Sequence, residues 1–82
     1  MTVSEARQIA IDFLGPNVCL HYRGVNQWPY YYEINFIEED HHVFEYHYEN
    51  EFRVGSDRHI GVEIINNPIG FNNRCTIMDF GE

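Results

Sequence analysis

Apolar and polar residues follow two different periods along this chain. Between Val3 and Leu14 the apolar residues recur three and four positions apart, which places one apolar stripe along an α-helix. Thr2 and Glu5 fit a capping box at its start, and Gly15 followed by proline fits its end. The pattern predicts an amphipathic helix of about three turns. Its stripe consists of Val3, Ala6, Ile9, Ala10, Phe13 and Leu14.

After the helix the period changes to two, which is typical of half-buried β-strands. We expect strands over residues 18–23, 30–37, 44–48, 59–65 and 74–80. The two strands within 30–51 are expected to form an antiparallel hairpin, with the polar residues 38–41 as its turn. One side of its second strand is aromatic, with Phe44, Tyr46 and Tyr48. The other side is polar, with Glu45, His47 and Glu49.

These elements predict the fold class α+β. The N-terminal helix is expected to pack on one face of a four- to five-stranded antiparallel meander sheet, and residues 1–82 to form a single domain. Phe13 is expected to pack on the Phe44 and Tyr46 face. The polar face of the sheet is expected to stay at least partly wet.

The charge of the chain restricts its partners. It carries 13 acidic and 5 basic residues, a formal net charge of −8, and no lysine. Direct binding to nucleic acid requires clustered basic residues, so the composition argues against it, and equally against anionic membrane surfaces. Residues 33–51 contain seven of the acids and no arginine or lysine. These acids form either a solvated face or a surface that attracts and binds a basic protein.

Targeting and cysteine content favour a simple cytoplasmic protein. The chain passes from Met1 directly into a polar helix start and has no long apolar run, so we expect neither a signal peptide nor a membrane segment. Cys19 and Cys75 are too few for a disulfide framework or a zinc site. A single bridge and two free thiols both remain open, and a cytoplasmic setting favours the thiols.

The histidines raise the question of a metal. His41, His42 and His47 lie near Glu45 and Glu49 in the sequence. On a strand, successive side chains of one face are roughly 7 Å apart, which is wide for one ion, and no helical HExxH spacing occurs. We interpret these residues as a solvated strand face and predict no metal, no cofactor and no catalytic site. A small metal-dependent enzyme using the three histidines remains the alternative from a different class.

Two aromatic residues are candidates for partner contact. Trp28 stands before a proline at the end of a loop, and Tyr31 shares a predicted face with Glu33. Tryptophan and tyrosine dominate the energetics of protein interfaces, although alternating tyrosines also commonly belong to a core. The predicted partner-binding residues are Trp28, Tyr31, Glu33, Glu38, Glu39, Asp40, Glu45, His47 and Glu49.

The segments TVSEARQIAIDFLG, YYYEINF and HHVFEYHYENE together resemble PepSY-type domains over residues 2–51. The shared features are an amphipathic helix containing E-A-x-x-I-A and an aromatic strand with a glutamate. The same layout is similar to that of small acidic bacterial immunity proteins. The resemblance implies a helix followed by strands, and a binding or inhibiting function without catalysis.

The sequence therefore favours a non-enzymatic acidic protein that inhibits or neutralises a partner, of the immunity or inhibitor type. The expected partner is a basic protein surface, either a toxin or a nucleic-acid-binding effector. The first alternative is a phage-encoded inhibitor of a nucleic-acid-handling complex, of the CRISPR type, that mimics the charge of nucleic acid. The second is the metal-dependent enzyme described above.

Overall fold

The computed structural model describes residues 1–32, 39–51, 58–64 and 77–79. These contain one helix and four strands: α1 Val3–Leu14, β1 Val18–Val25, β2 His41–Tyr48, β3 His59–Glu63 and β4 Ile77–Asp79. The four strands form one sheet in the order β1-β2-β3-β4, and each neighbouring pair is antiparallel. The α+β class and the antiparallel sheet are thus confirmed.

Helix α1 begins and ends as its sequence predicts. The Thr2 amide donates to Glu5 Oε1 at 2.8 Å, and the Thr2 hydroxyl accepts from the Glu5 amide at 3.1 Å. The bond from the Thr2 amide, supported by the hydroxyl, lowers the pKa of the Glu5 carboxyl. At the other end Gly15 adopts φ 105°, a region that glycine enters without strain, and its amide donates to the Ile11 carbonyl.

The core lies where the small side chains of α1 meet the sheet. Ala6 and Ala10 are fully buried, in one cluster with the sheet residues Phe44, Tyr46, Ile60 and Val62. The expected packing of Phe13 on this cluster is wrong, because its side chain in the last turn is 56% exposed. The apolar stripe sets the direction of a side chain, but it does not set how far the sheet extends under the helix.

The expected hairpin within residues 30–51 is also wrong. Strand β2 pairs with β1 along one edge and with β3 along the other, so both of its edges are occupied. Tyr30 and Tyr31 lie in a turn, and the Tyr32 amide donates to the Pro29 carbonyl at 3.0 Å. The rest of the expected strand, 33–37, lies outside the described residues. The expected turn over 38–41 ends earlier, since His41 already begins β2.

A bulge in β1 lies shortly before the point where the chain leaves the sheet. The register between β1 and β2 shifts between Tyr22 and Gly24, and Gly24 has φ 128°. Asn26, with φ 57°, then turns the chain: its amide donates to the His41 carbonyl and its Oδ1 accepts from the His41 amide. The described start of the following loop, residues 26–32, therefore stays tied to β2.

This loop covers part of the sheet face that points away from α1. Gly61 lies between Ile60 and Val62, which belong to the helix-side core, so its own position faces the other way. A Cβ atom at Gly61 would lie 2.5 Å from Trp28 Cζ2, which means that the indole rests on the bare backbone. The expectation of a partly wet face is thus modified, because an aromatic loop lies over one end of it.

The remaining expected strands are partly described. Strand β3 covers His59–Glu63 of the predicted 59–65; it ends before Ile64, which is described but not in a strand, and residue 65 lies outside the described residues. Strand β4 matches three residues of 74–80, and the rest of that range lies outside the described residues. Within the described part of the chain, α1 is 12 residues long, and no helix is long and apolar enough to cross a membrane.

Candidate protein-binding site

The centre of the candidate site is a carboxylate in the middle of the sheet. Glu45 lies opposite His21 of β1 and opposite His59 of β3, so the three residues form one row across three strands. The row lies on the face away from α1, because the neighbouring β2 residues Phe44 and Tyr46 point into the helix-side core. The Glu45 side chain is 23% exposed.

The charge of Glu45 is poorly compensated. Among the described residues its one polar contact is an ion pair in which Arg23 Nη1 lies 3.9 Å from Glu45 Oε1. That separation exceeds hydrogen-bonding distance, and the Arg23 side chain is itself 54% exposed. The Glu45 oxygens are not among the buried polar atoms that lack a hydrogen-bond partner, so they reach solvent and can accept hydrogen bonds from a bound group.

Aromatic residues and an arginine surround this carboxylate. An open cleft of 380 Å³ is lined by Arg23, Gln27, Trp28, Pro29, Tyr31, Glu45 and His59, and we refer to it as the Glu45 cleft. Trp28 is positioned by Gly61 beneath it and by an edge-on contact with His41, whose ring centroid is 6.3 Å away. Tyr31 remains 55% exposed. The cleft therefore brings two aromatic side chains together with a carboxylate in a largely polar lining.

Next to the cleft, two imidazoles stack on the same face. The rings of His21 and His47 have centroids 5.3 Å apart and planes within 19° of parallel. Cys19 lies opposite His47 in the ladder and carries a free thiol, while Cys75 lies outside the described residues. The predicted partner-binding residue His47 thus stacks on His21, which lies opposite Glu45, but it is not one of the residues that line the Glu45 cleft.

The histidines of the metal alternative do not converge. His41 and His42 are neighbours on β2 and point to opposite faces, and His47 lies about 20 Å along the strand from His41. His42 is engaged between the Tyr22 hydroxyl at 3.0 Å and the Met1 carbonyl at 3.2 Å. His41 Nδ1 donates to the Glu39 carbonyl. In the described ranges, no group of three histidine, cysteine or acidic residues is placed to hold a metal ion.

The predicted partner-binding residues are divided between several places. Trp28, Tyr31 and Glu45 line the Glu45 cleft. Glu39 and Asp40 are exposed at the start of β2, and Asp40 accepts from the Asn26 side-chain amide at 2.8 Å. Glu49 is exposed beyond the other end of β2, in a separate cleft beside the end of α1. Glu33 and Glu38 lie outside the described residues.

The acidic residues consequently do not gather into a single patch within the described structure. Glu39 and Glu49 stand at opposite ends of β2, roughly 30 Å apart along the strand. Arginines from outside the acidic stretch compensate part of its charge: Arg23 approaches Glu45, and Arg58 pairs with Glu51. These pairs were not predicted, because the two residues of each pair are not neighbours in the sequence.

Three contributors to the site were missed from the sequence: Arg23, His59 and Gly61. Arg23 and His59 reach the cleft through strand pairing, which no local pattern revealed. Gly61 did offer a signal, because a glycine inside an apolar strand often marks the close approach of another group.

No protein-family model, curated protein or solved structure matches this chain. The resemblance to PepSY-type domains therefore stays a prediction.

Proposed function

We propose that this protein is a non-enzymatic binding module that covers a basic surface of another protein and thereby inhibits or neutralises it. The observation that carries the proposal is the Glu45 cleft, where Trp28, Tyr31 and the poorly compensated Glu45 meet on one face of the sheet. Aromatic side chains are the usual anchors of protein interfaces, and a shielded carboxylate favours a cationic partner group.

The architecture supports different roles for the two faces of the sheet. In our proposal α1 covers one face of a four- to five-stranded sheet, and the partner docks on the opposite face. The net charge of −8 speeds the approach of a basic partner and disfavours direct contact with nucleic acid. The proposed partner is a toxin or a nucleic-acid-binding effector in the cytoplasm, as for immunity or inhibitor proteins.

The test begins with capture of a partner on the immobilised chain from its native host, followed by measurement of association rates. Glu49→Arg reverses an exposed charge at the end of β2. Asp12→Arg reverses an exposed charge on α1 and changes the net charge by the same amount. Because long-range attraction depends on where the charge lies, Glu49→Arg should slow association at low salt more than Asp12→Arg.

The difference between the two variants should shrink at high salt, where the Debye length falls to about 3 Å. A second pair tests the anchors: Tyr31→Ala should speed dissociation, whereas Phe13→Ala, which removes an exposed aromatic ring from α1, should not. The proposal fails if no protein binds, or if Asp12→Arg and Phe13→Ala impair binding as much as Glu49→Arg and Tyr31→Ala.

A further inference from the structure

The chemistry of the Glu45 cleft specifies its occupant more narrowly than a basic surface. Glu45 is three-quarters shielded, yet among the described residues its polar contact is a single cation 3.9 Å away. An ionised carboxylate in such a place gains most from a donor that is charged and within hydrogen-bonding distance. A cation that approaches closer than Arg23 would therefore bind this carboxylate more strongly than Arg23 does.

The aromatic residues of the cleft determine which cation fits it best. Trp28 and Tyr31 offer aromatic rings beside Glu45 in an open space of 380 Å³. A guanidinium group is planar, stacks on aromatic rings and donates two parallel hydrogen bonds to one carboxylate. A lysine ammonium is more strongly hydrated and cannot make the forked contact. The two aromatic rings and the carboxylate together thus fit an arginine side chain best.

Arg23 already occupies the rim of the cleft with the same chemical group. It lies at the β1 bulge, between Tyr22 and Gly24, where the regular ladder is interrupted. Its side chain is 54% exposed and its ion pair is long, so moving it away from Glu45 costs little. Arg23 can therefore leave the cleft without disturbing the sheet.

We infer that the Glu45 cleft receives an arginine side chain of the partner protein, whose guanidinium binds Glu45 between Trp28 and Tyr31 and displaces Arg23. This inference rests on the proposed function and names the group that the partner must present. The exchange replaces the long ion pair between Arg23 and Glu45 by a hydrogen-bonded ion pair with the partner's arginine.

The experiment uses a defined probe and does not require the partner. N-acetyl-arginine amide is titrated into the full chain, and the fluorescence of Trp28, the one tryptophan in the sequence, reports occupancy. N-acetyl-citrulline amide, which has nearly the same shape without the charge, is the matched ligand. Glu45→Gln removes the carboxylate charge, and Arg23→Ala removes the resident cation. Asp12→Asn on α1 makes the same charge change as Glu45→Gln and serves as the control.

The arginine probe should change the Trp28 fluorescence in a saturable way, and the citrulline probe should not. Glu45→Gln should weaken binding about tenfold, the usual value of a hydrogen-bonded charge pair. Arg23→Ala should tighten binding several-fold, and Asp12→Asn should change it less than about twofold. Circular dichroism confirms that each variant is folded.

The inference is overturned if the arginine probe does not bind, if citrulline binds equally well, or if Glu45→Gln and Asp12→Asn have the same effect. It is separable from the proposed function. Arginine binding that depends on Glu45 supports the cleft even if no protein partner is captured, in which case the proposed function fails alone. A captured partner whose affinity is unchanged by Glu45→Gln overturns the cleft and leaves the function intact.

Discussion

Strand β2 presents alternate residues to two different surroundings. On the side of α1, Phe44 and Tyr46 are buried with Ala6 and Ala10 in a continuous apolar cluster. On the other side, Glu45 lies in a row with His21 and His59 beneath an open aromatic cleft. The first face is closed by regular secondary structure and the second by an irregular loop. The second face has its own buried residues, Val43 and His41, but it also leaves an open cleft where a partner can bind.

The largest expected loss of stability comes from a substitution in the core on the helix side of the sheet. Phe44→Ala removes a fully buried ring and should lower the free energy of unfolding by ~3–5 kcal/mol. That loss is comparable to the whole stability of a small domain, so we expect a largely unfolded variant by circular dichroism. An urea midpoint near that of the parent would mean that this cluster is not the main core.

The next effect concerns the attachment of the loop to the opposite face. Gly61→Ala places a Cβ atom against the Trp28 indole, which must move. The expected cost is ~1–3 kcal/mol, with a red shift of tryptophan emission as the ring gains contact with water. In a Trp28→Ala background the cost should largely vanish. Equal costs in both backgrounds would place the strain elsewhere than at Trp28.

A smaller loss of stability is expected from removing the N-terminal cap of α1, the helix that covers the first face. Thr2→Ala removes the hydroxyl that accepts from the Glu5 amide, and should cost about 1 kcal/mol in thermal or urea unfolding. Ser4→Ala, two residues further along the chain at an exposed position without a cap contact, is the control. A Thr2→Ala variant as stable as the Ser4→Ala variant would argue against the cap.

The same cap predicts a dependence on pH. The Thr2 amide lowers the pKa of Glu5 in the folded chain, so its carboxylate stabilises the fold above the ordinary glutamate pKa. This contribution is lost as the pH falls through the lowered value. The stability difference between the parent and Glu5→Gln should therefore be constant near neutral pH and decline in acid. A difference that grows in acid would contradict the assignment.

The smallest change in stability is expected at Phe13, which lies at the edge of the core. Phe13 is apolar and aligned with the stripe of α1, but 56% of its surface is exposed. Phe13→Ala should change the free energy of unfolding by less than about 1 kcal/mol in urea titrations. A loss approaching that of Phe44→Ala would show that the last turn of α1 packs more deeply than described.

The sequence supported the local features better than the pairings. The capping box, the helix stripe and the alternation in β1, β2 and β3 follow from neighbouring residues, and each was predicted. The partner of β2 was not, because the aromatic alternation at 30–32 resembles a strand although its described residues form a turn over the sheet. A period of two identifies residues that share a side, but it does not identify the strand that supplies the hydrogen bonds.

The candidate site shows the same limit. Trp28, Tyr31 and Glu45 were each selected from residue type, and they line one cleft. The arginine beside them was not expected, since Arg23 is 22 positions away from Glu45 in the chain and reaches it only through strand pairing. Charges counted along a sequence therefore overstate how much of an acidic stretch is uncompensated in space.

The bulge in β1 has a consequence for how copies of this chain behave towards one another. Among the described strands β1 stands at the margin of the sheet, where backbone amides and carbonyls can pair with a foreign strand. The shift between Tyr22 and Gly24 and the charged Arg23 interrupt that margin near its middle. At this margin of the described sheet a second molecule meets an interrupted edge, which disfavours the pairing of β1 with a strand of another copy.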